Sequence, residues 1–374
     1  VVPLRRVALN ALFLDPGASG GPETYARGLV PALAREFPST AFTIVTTRAG
    51  ARALRESGWA EAVEVRPLPC DEGQRGRRTL AEQLLLPALA RRDRFDVLHS
   101  LASLAPIRST VPSVITLHDV TFFHLRTFGA VTTFGMRQVV ARAARRADAV
   151  IAVTAAARDD VARTLGLDTA AIPVVHHGVD PPAAARADPE RVRVRYALGG
   201  GPIVLSVAAK RPHKNQELLV RALAHLPDEV QLVLAGHPEP YDMQLKRLAR
   251  EIGVEPRVRF VDYVPQDELE ALWQVAAVAA FPTRAEGFGI PVVEALARGV
   301  PVVCSDLPVL REVSGGHART FDPDDVAGAA AAVAAAVANR ADADAGKAWA
   351  RRFSWAEAAR ATYEVYERVA CTSG

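Results

Sequence analysis

Cysteine is nearly absent. Cys70, Cys304 and Cys371 are scattered through 374 residues with no metal-ligand spacing among them. That excludes a disulfide framework and fits a reducing, cytoplasmic setting. Long apolar runs are missing as well, since none reaches the roughly 18–20 residues a membrane-spanning helix needs. The opening VVPLRRVALNALFLD is basic and then apolar, but its apolar part is short and runs into Asp15 and a Gly-rich stretch. It reads as a first strand rather than a targeting segment. Charge of one sign is also lacking: the formal net charge is +3, with the excess Arg spread along the chain. A nucleic-acid partner therefore has little support.

What is present is the composition of a globular protein, 49% apolar and 23% charged, without a low-complexity tract. So long a chain exceeds one ordinary core and predicts two domains. Short Val/Ile/Leu runs alternate with Ala/Leu/Arg segments of helical spacing. The strand candidates are 6–14, 41–47, 96–100, 113–119, 149–154 and 172–178, then 202–208, 230–236, 258–264, 275–283 and 300–306. Continuous apolar strands between helices predict an α/β fold of parallel sheets covered on both faces. The Pro-, Gly- and charge-rich segment 178–201 is the expected linker. Two doubly wound halves would face each other across a cleft, with ligands at the carboxyl ends of their strands.

Three stretches fall at such strand ends. EGFGIPVVE (286–294) has acids on both sides of a Gly-Phe-Gly-Ile-Pro turn. Pro291 suits the first turn of a helix that stops at Gly299. The amides of Phe288, Gly289 and Ile290 then lie at a helix N-terminus, an anion site. Glu286 and Glu294 can flank a nucleotide sugar there, or Glu294 can merely complement the helix dipole while Glu286 faces water. SVAAKRPHKN (206–215) puts Lys210, Arg211, His213 and Lys214 on the loop after the first strand of the second half. Such cations can neutralise charge building on a phosphate leaving group, or the loop is simply solvated. DPGASGGPETYARGL (15–29) brings Gly17, Gly20 and Gly21 before a helix containing Glu23, yet lacks the G-x-G-x-x-G spacing of a dinucleotide fingerprint. His118 ends SVITL and precedes Asp119, where it either faces a ligand or packs with a satisfied hydrogen bond.

These stretches, in order, resemble the family 4 retaining glycosyltransferases of the GT-B fold. The match begins with GASGGPETYARGL and passes through LHD, VVHHGVD, SVAAKRPHKN and VRFVDYVPQDEL to FPTRAEGFGIPVVEALARGVPVVCSD. The E-x7-E signature of that family is similar to Glu286 and Glu294 with the intervening residues. The terminal FSWAEAARATYEVYERV (353–369), with the capping-box pair Ser354 and Glu357, looks like its closing helix. The resemblance implies an acceptor-binding Rossmann-like domain over 1–185, a donor-binding one over 186–355, and a C-terminal helix over 356–374 crossing back to the first.

It further implies transfer of a hexose from a nucleoside-diphosphate sugar, UDP- or GDP-linked, to an acceptor hydroxyl with retention and without a metal or other cofactor. Glu286 would hold sugar hydroxyls and Glu294 the ribose, while Phe288, Gly289 and Ile290 line the diphosphate. Lys214 would bind the leaving phosphate, with Lys210 or Arg211 as second cation. Many members carry a Gly-Arg pair where this chain has Ala208 and Ala209. Gly20 and Gly21 would approach the phosphates, His118 the anomeric centre, and Tyr263 and Val264 the base. Acceptor contacts are expected from Glu23, Asp119 and Phe122. The only D-x-D spellings, Asp322–Asp324 and Asp342–Asp344, lie far from these motifs and read as solvated acids.

The segment 120–146, with Phe122, Phe123, Phe128 and Phe134 before Arg137, Arg142, Arg145 and Arg146, is an acceptor wall, a patch for an anionic lipid surface, or a core helix with a basic outer face. The core helix is preferred, leaving peripheral contact with the inner membrane face as a further expectation. The acceptor class is a glycan, glycolipid or natural product. A nucleotide-sugar hydrolase or epimerase on the same fold is the nearest rival, separable by product analysis with and without acceptor.

Overall fold

The structure, a computed structural model, describes residues 4–14, 20–70, 75–124, 130–183, 187–339 and 343–372. Gly17, Phe128 and Asp342 lie outside that set. The chain forms two compact units, Val1–Gly178 with Phe353–Gly374, and Val179–Arg352.

The first unit contains β1 (Arg6–Asn10), β2 (Ala41–Thr46), β3 (Glu64–Pro67), β4 (Val97–Ser100), β5 (Ser113–Leu117) and β6 (Ala149–Ala152) in one sheet, ordered β3-β2-β1-β4-β5-β6. The second has β7 (Ile203–Val207), β8 (Gln231–Ala235), β9 (Val258–Val261), β10 (Val278–Phe281), β11 (Val302–Ser305) and β12 (Ala318–Phe321), ordered β12-β11-β10-β7-β8-β9. Every pairing is parallel. Counted from its own first strand, each sheet has the order 3-2-1-4-5-6 of the doubly wound Rossmann fold. The α/β class and two Rossmann-like halves expected from the sequence are what the chain forms.

Alternation along the strands explains how the first sheet is covered on both faces. Val7, Leu9, Phe42 and Ile44 enter one core with helix α1 (Gly21–Glu36), whereas Ala8 and Val45 enter another with Leu86, Leu89 and Leu98. Successive side chains of a strand point to opposite faces, so a sheet buried on both sides needs apolar residues at every position. In the second unit Val204, Leu232, Leu234, Val278 and Val303 pack with helix α2 (Gln216–Leu223). Helix α3 (Ile290–Ala297) follows β10, and helix α4 (Trp355–Thr372) closes the chain inside the first unit.

Four local expectations change. Residues 172–178 form no strand; Val174 makes a single bridge to Ala152, and Pro173 has no amide to extend a ladder. β3 and β12 were not expected: EVRP and ARTF are edge strands whose polar positions face water. The expected linker includes a helix over Pro189–Arg195, capped by Asp188 and fastened by Arg195 and Tyr196 to Glu268 at 2.6 and 2.5 Å. Ser354 caps the last helix by accepting the Glu357 amide at 3.1 Å, while the Glu357 carboxylate turns to Arg360, so half of the capping box forms.

Candidate active site

In a doubly wound sheet the switch point lies between the two strands from which the winding departs in opposite directions, and ligands bind at its carboxyl end. In the second unit those strands are β7 and β10. After β7 the chain passes Ala208–Arg211 into a 3-10 turn, Pro212–Lys214, and Asn215 in a left-handed conformation (φ 54°) starts α2. After β10 it runs through Pro282 to Gly289 before α3. The two loops are sewn together at one carbonyl. His213 O accepts from the Arg284 amide at 2.8 Å and from Thr283 Oγ1 at 3.1 Å.

This brings Lys214 against Glu286, Nζ to Oε2 2.6 Å, with about a fifth of each side chain exposed (23% and 21%). Arg284 pairs with Asp324 beside them. The acid at the other end of the nonapeptide is placed differently. Glu294 sits half-buried in α3, and no described residue gives its carboxylate a hydrogen bond. Burial raises its pKa, Arg298 opposes, and Glu270 and Asp180 add to the rise. Arg298 is itself committed to a buried bidentate pair with Glu270, Nε to Oε2 2.8 Å. A half-buried carboxylate that no described residue hydrogen-bonds is free to accept from a ligand's hydroxyls or from water. Between the acids the turn is close-packed: Phe288 and Ile290 are buried, and Gly289 has φ +92°. A Cβ on Gly289 would stand 2.8 Å from Leu310 Cδ2.

The two residues offered for the second cation part ways. Arg211 is about half exposed and pairs with Glu239 at 2.8 Å. Lys210 points into the fold and is fully buried, donating to Gly236 O at 2.8 Å and Val261 O at 2.9 Å. Its ammonium is satisfied by backbone, so of the two residues offered Arg211 is the one that reaches the surface of the loop. Tyr263, just past β9, is exposed and Val264 half-buried. Asp322 accepts locally from the Asp324 amide and Asp325 caps the helix over Val326–Ala338, but Asp324 pairs with Arg284 beside Lys214 and Glu286, which corrects the expectation that this D-x-D lies far from the motifs. Among the described residues no group of three or more His, Cys, Asp or Glu is arranged to hold a metal ion.

In the first unit the switch-point strands are β1 and β4, and Asn10 faces Ser100 across them. Asn10 Nδ2 donates to Glu82 Oε1 at 2.7 Å and to Ser100 Oγ at 3.0 Å. Glu82 lies on a π-helical turn, Ala81–Leu85, and burial pushes its pKa up to about 7 against a weaker downward pull from Asn10. His118 follows β5. Its Nε2–H donates to Leu101 O at 2.9 Å, so Nδ1 carries the lone pair and accepts from His177 Nε2–H at 3.2 Å. Burial lowers the pKa of both rings, which holds the pair neutral at pH 7. Gly20, with φ 61°, caps α1, and a Cβ on Gly21 would meet nothing within 4 Å. The three residues expected to touch an acceptor are engaged locally. Glu23 pairs with Arg27 at 2.7 Å, Asp119 accepts from the Thr121 amide at 2.8 Å, and Phe122 packs in the core. Among the described rings of that segment, Phe134 is the exposed one.

A family model described as Glycosyltransferase Family 4 matches residues 19–182, and one described as Glycosyl transferases group 1 matches residues 190–360. The D-inositol 3-phosphate glycosyltransferase of Xylanimonas cellulosilytica is 32% identical over 412 aligned residues, covering 96% of this chain and 96% of that one. This chain belongs to the family 4 glycosyltransferases. The glycosyltransferase is also similar to the GDP-mannose-dependent alpha-(1-6)-phosphatidylinositol monomannoside mannosyltransferase of Mycolicibacterium smegmatis, 37% identical over 183 residues, 45% of this chain and 46% of the other. Among solved structures, Anabaena HepE in complex with UDP and glucose superposes with a TM-score of 0.78 at 20% identity, over 97% of this chain and 100% of that one. At that identity the likeness is one of fold, the GT-B fold expected from the motifs.

Several residues of this glycosyltransferase escaped the sequence. His99 and Tyr366 (Nδ1 to OH 2.6 Å), with Thr116 and Tyr25, form a buried polar chain linking α4, β4, β5 and α1. Asn10 and Glu82 come from segments far apart in the chain, and nothing in either segment signals the other. For His177 a signal existed: VVHHGVD was part of the motif set, and the ring stands beside Tyr25, His118 and Trp355.

Proposed function

We propose that this glycosyltransferase moves a hexose from a UDP- or GDP-sugar to an acceptor hydroxyl with retention of anomeric configuration and without a metal ion. The observation that carries the reading is the Lys214–Glu286 pair at the switch point of the second unit, with Glu294 unpartnered on the same loop–helix segment. In this reading the second unit holds the donor and the first the acceptor, a glycan, glycolipid or small molecule. The donor class is supported by the names of the relatives, one GDP-mannose-dependent and one structure holding UDP and glucose.

Departure of the nucleoside diphosphate is the step that needs help. Lys214 and Arg211 carry the positive charge, and the helix-end amides of Phe288, Gly289 and Ile290 add oriented dipoles. Removing one such preorganised donor typically costs about 3–4 kcal/mol of transition-state stabilisation. Glu294 takes the ribose hydroxyls, and Tyr263 and Val264 the base. Glu286 orients the sugar. Its carboxylate is ion-paired at 2.6 Å with Lys214 and acts as a hydrogen-bond acceptor, with no need to attack carbon. The acceptor hydroxyl enters on the face the diphosphate leaves, which preserves configuration.

Titration calorimetry in chelator with UDP, GDP, ADP and TDP tests the donor site. One nucleotide binds, and Lys214→Ala weakens it at least 10-fold. Glu286→Ala then lowers transfer by two or more orders of magnitude with the fold unchanged. NMR of the product gives the anomeric configuration. Absence of binding by all four nucleotides, or strict dependence of transfer on added divalent metal, would refute the proposal.

A further inference from the structure

Lys210 is a fully buried cation within four residues of Lys214, and the transfer chemistry does not use it. Taking an ammonium out of water costs several kcal/mol unless its donors are satisfied. Its surroundings are built to do so. Nζ donates to Gly236 O, one residue past β8, and to Val261 O, the last residue of β9. Asp262 Oδ1 lies at 3.6 Å and Asp242 Oδ1 at 3.9 Å, and Asp242 is shared with Lys246 at 2.5 Å. The Lys210 amide donates to His237 O at 3.3 Å, and the Gly236 amide is divided between Val261 O and Asp262 O at 3.0 and 3.1 Å. The carboxyl ends of three adjacent strands, β7, β8 and β9, are thus tied to one ammonium. Burial lowers its pKa while the two aspartates draw it back up.

The next residues after this knot are Asp262, Tyr263 and Val264, with the Tyr263 ring 76% exposed and without a partner among the described residues. A loop that reads a base through its backbone must hold its peptide planes fixed, and the Val261 carbonyl sets the first of them. We infer that Lys210 is a positioning residue: from inside the fold it fixes the Asp262–Val264 loop to receive the nucleobase of the donor, and it makes no contact with the phosphates. This rests on the donor site proposed above. It accounts for a lysine where an apolar side chain would fill the same space at less cost.

The test separates base from phosphate. Wild type, Lys210→Met and Lys210→Met with Asp242→Asn (which also removes one of the two acids facing Nζ) are titrated with the preferred nucleoside diphosphate and with inorganic pyrophosphate. Wild type binds the nucleotide more tightly than pyrophosphate. In the variants nucleotide affinity falls at least 10-fold towards that of pyrophosphate, while pyrophosphate binding stays within 2-fold. An unchanged nucleotide preference overturns the inference. So does equal loss of both ligands, which would make Lys210 a phosphate ligand, and so does failure of both variants to fold, which would make it a stability residue. A wild type that binds no nucleotide defeats the donor-site reading itself.

Discussion

Glu82 shows what one buried acid does to this protein. Its carboxyl has Asn10 Nδ2 as hydrogen-bond partner, and burial holds the folded pKa at about 7 against an ordinary 4.5. A raised acid pKa means the folded state binds the proton more tightly than the unfolded one, so its contribution falls as pH rises between those two values. Glu82→Gln keeps the Asn10 contact and removes the charge. At pH 8 it should therefore unfold at higher urea than wild type, by up to about 3 kcal/mol on the usual conversion of a pKa shift. At pH 4 the two should coincide. An identical gap at both pH values would show that the carboxyl does not titrate this way.

Legibility at this scale followed how local the chemistry is. Glu286, Glu294 and Lys214 stood out because short motifs carry them. The inward turn of Lys210 did not, because a lysine at a strand end spells the same whether it meets solvent or the carbonyls of two neighbouring strands.

At the scale of elements, α4 is held by residues that look unremarkable alone. A Cβ on Gly28 would sit 1.9 Å from the Trp355 ring, and one on Gly178 would sit 2.2 Å from the Trp355 amide nitrogen. Both glycines are therefore small so that the tryptophan can lie against α1 and the end of the first unit. Further along, Tyr363 stacks on Phe37 and bonds to Thr40 at 2.8 Å, and Arg360 reaches Glu36 at 2.5 Å. Gly28→Ala should destabilise the first unit by about 1–3 kcal/mol through overpacking. The double variant with Trp355→Ala should recover much of that loss, because residues in contact are not additive. Purely additive urea midpoints would place the origin elsewhere. Apolar strands were legible because burial on two faces demands apolar residues throughout. The edge strands β3 and β12 were not, since a strand with one neighbour can carry EVRP or ARTF.

At the scale of the whole molecule, one topology is used twice, and each switch point carries a polar cluster, Asn10–Ser100–Glu82 in one unit and Lys214–Glu286 in the other. The alternation of runs made that repetition visible in the sequence, but the return of the last helix to the first unit was implied by resemblance alone, because an amphipathic helix does not encode its partner. The covalent order has a physical consequence. The second unit is one continuous segment, Val179–Arg352, whereas the first needs Phe353–Gly374 to complete a core that includes Ala359, Val365, Tyr366 and Val369.

Residues 179–352 made alone should fold cooperatively and bind the same nucleoside diphosphate as the full chain. Residues 1–178 alone should be unstable, with the apolar face of α1 uncovered. In the full chain, nucleotide at 100 times its Kd should raise the unfolding free energy of the second unit by about 2.7 kcal/mol and leave the transition of the first where it was. Calorimetry on the fragment and a two-transition unfolding curve on the whole protein decide it. A folded 179–352 fragment that fails to bind a nucleotide bound by the intact chain would mean that the first unit supplies part of the donor site's affinity, and the division of labour proposed here would have to be redrawn.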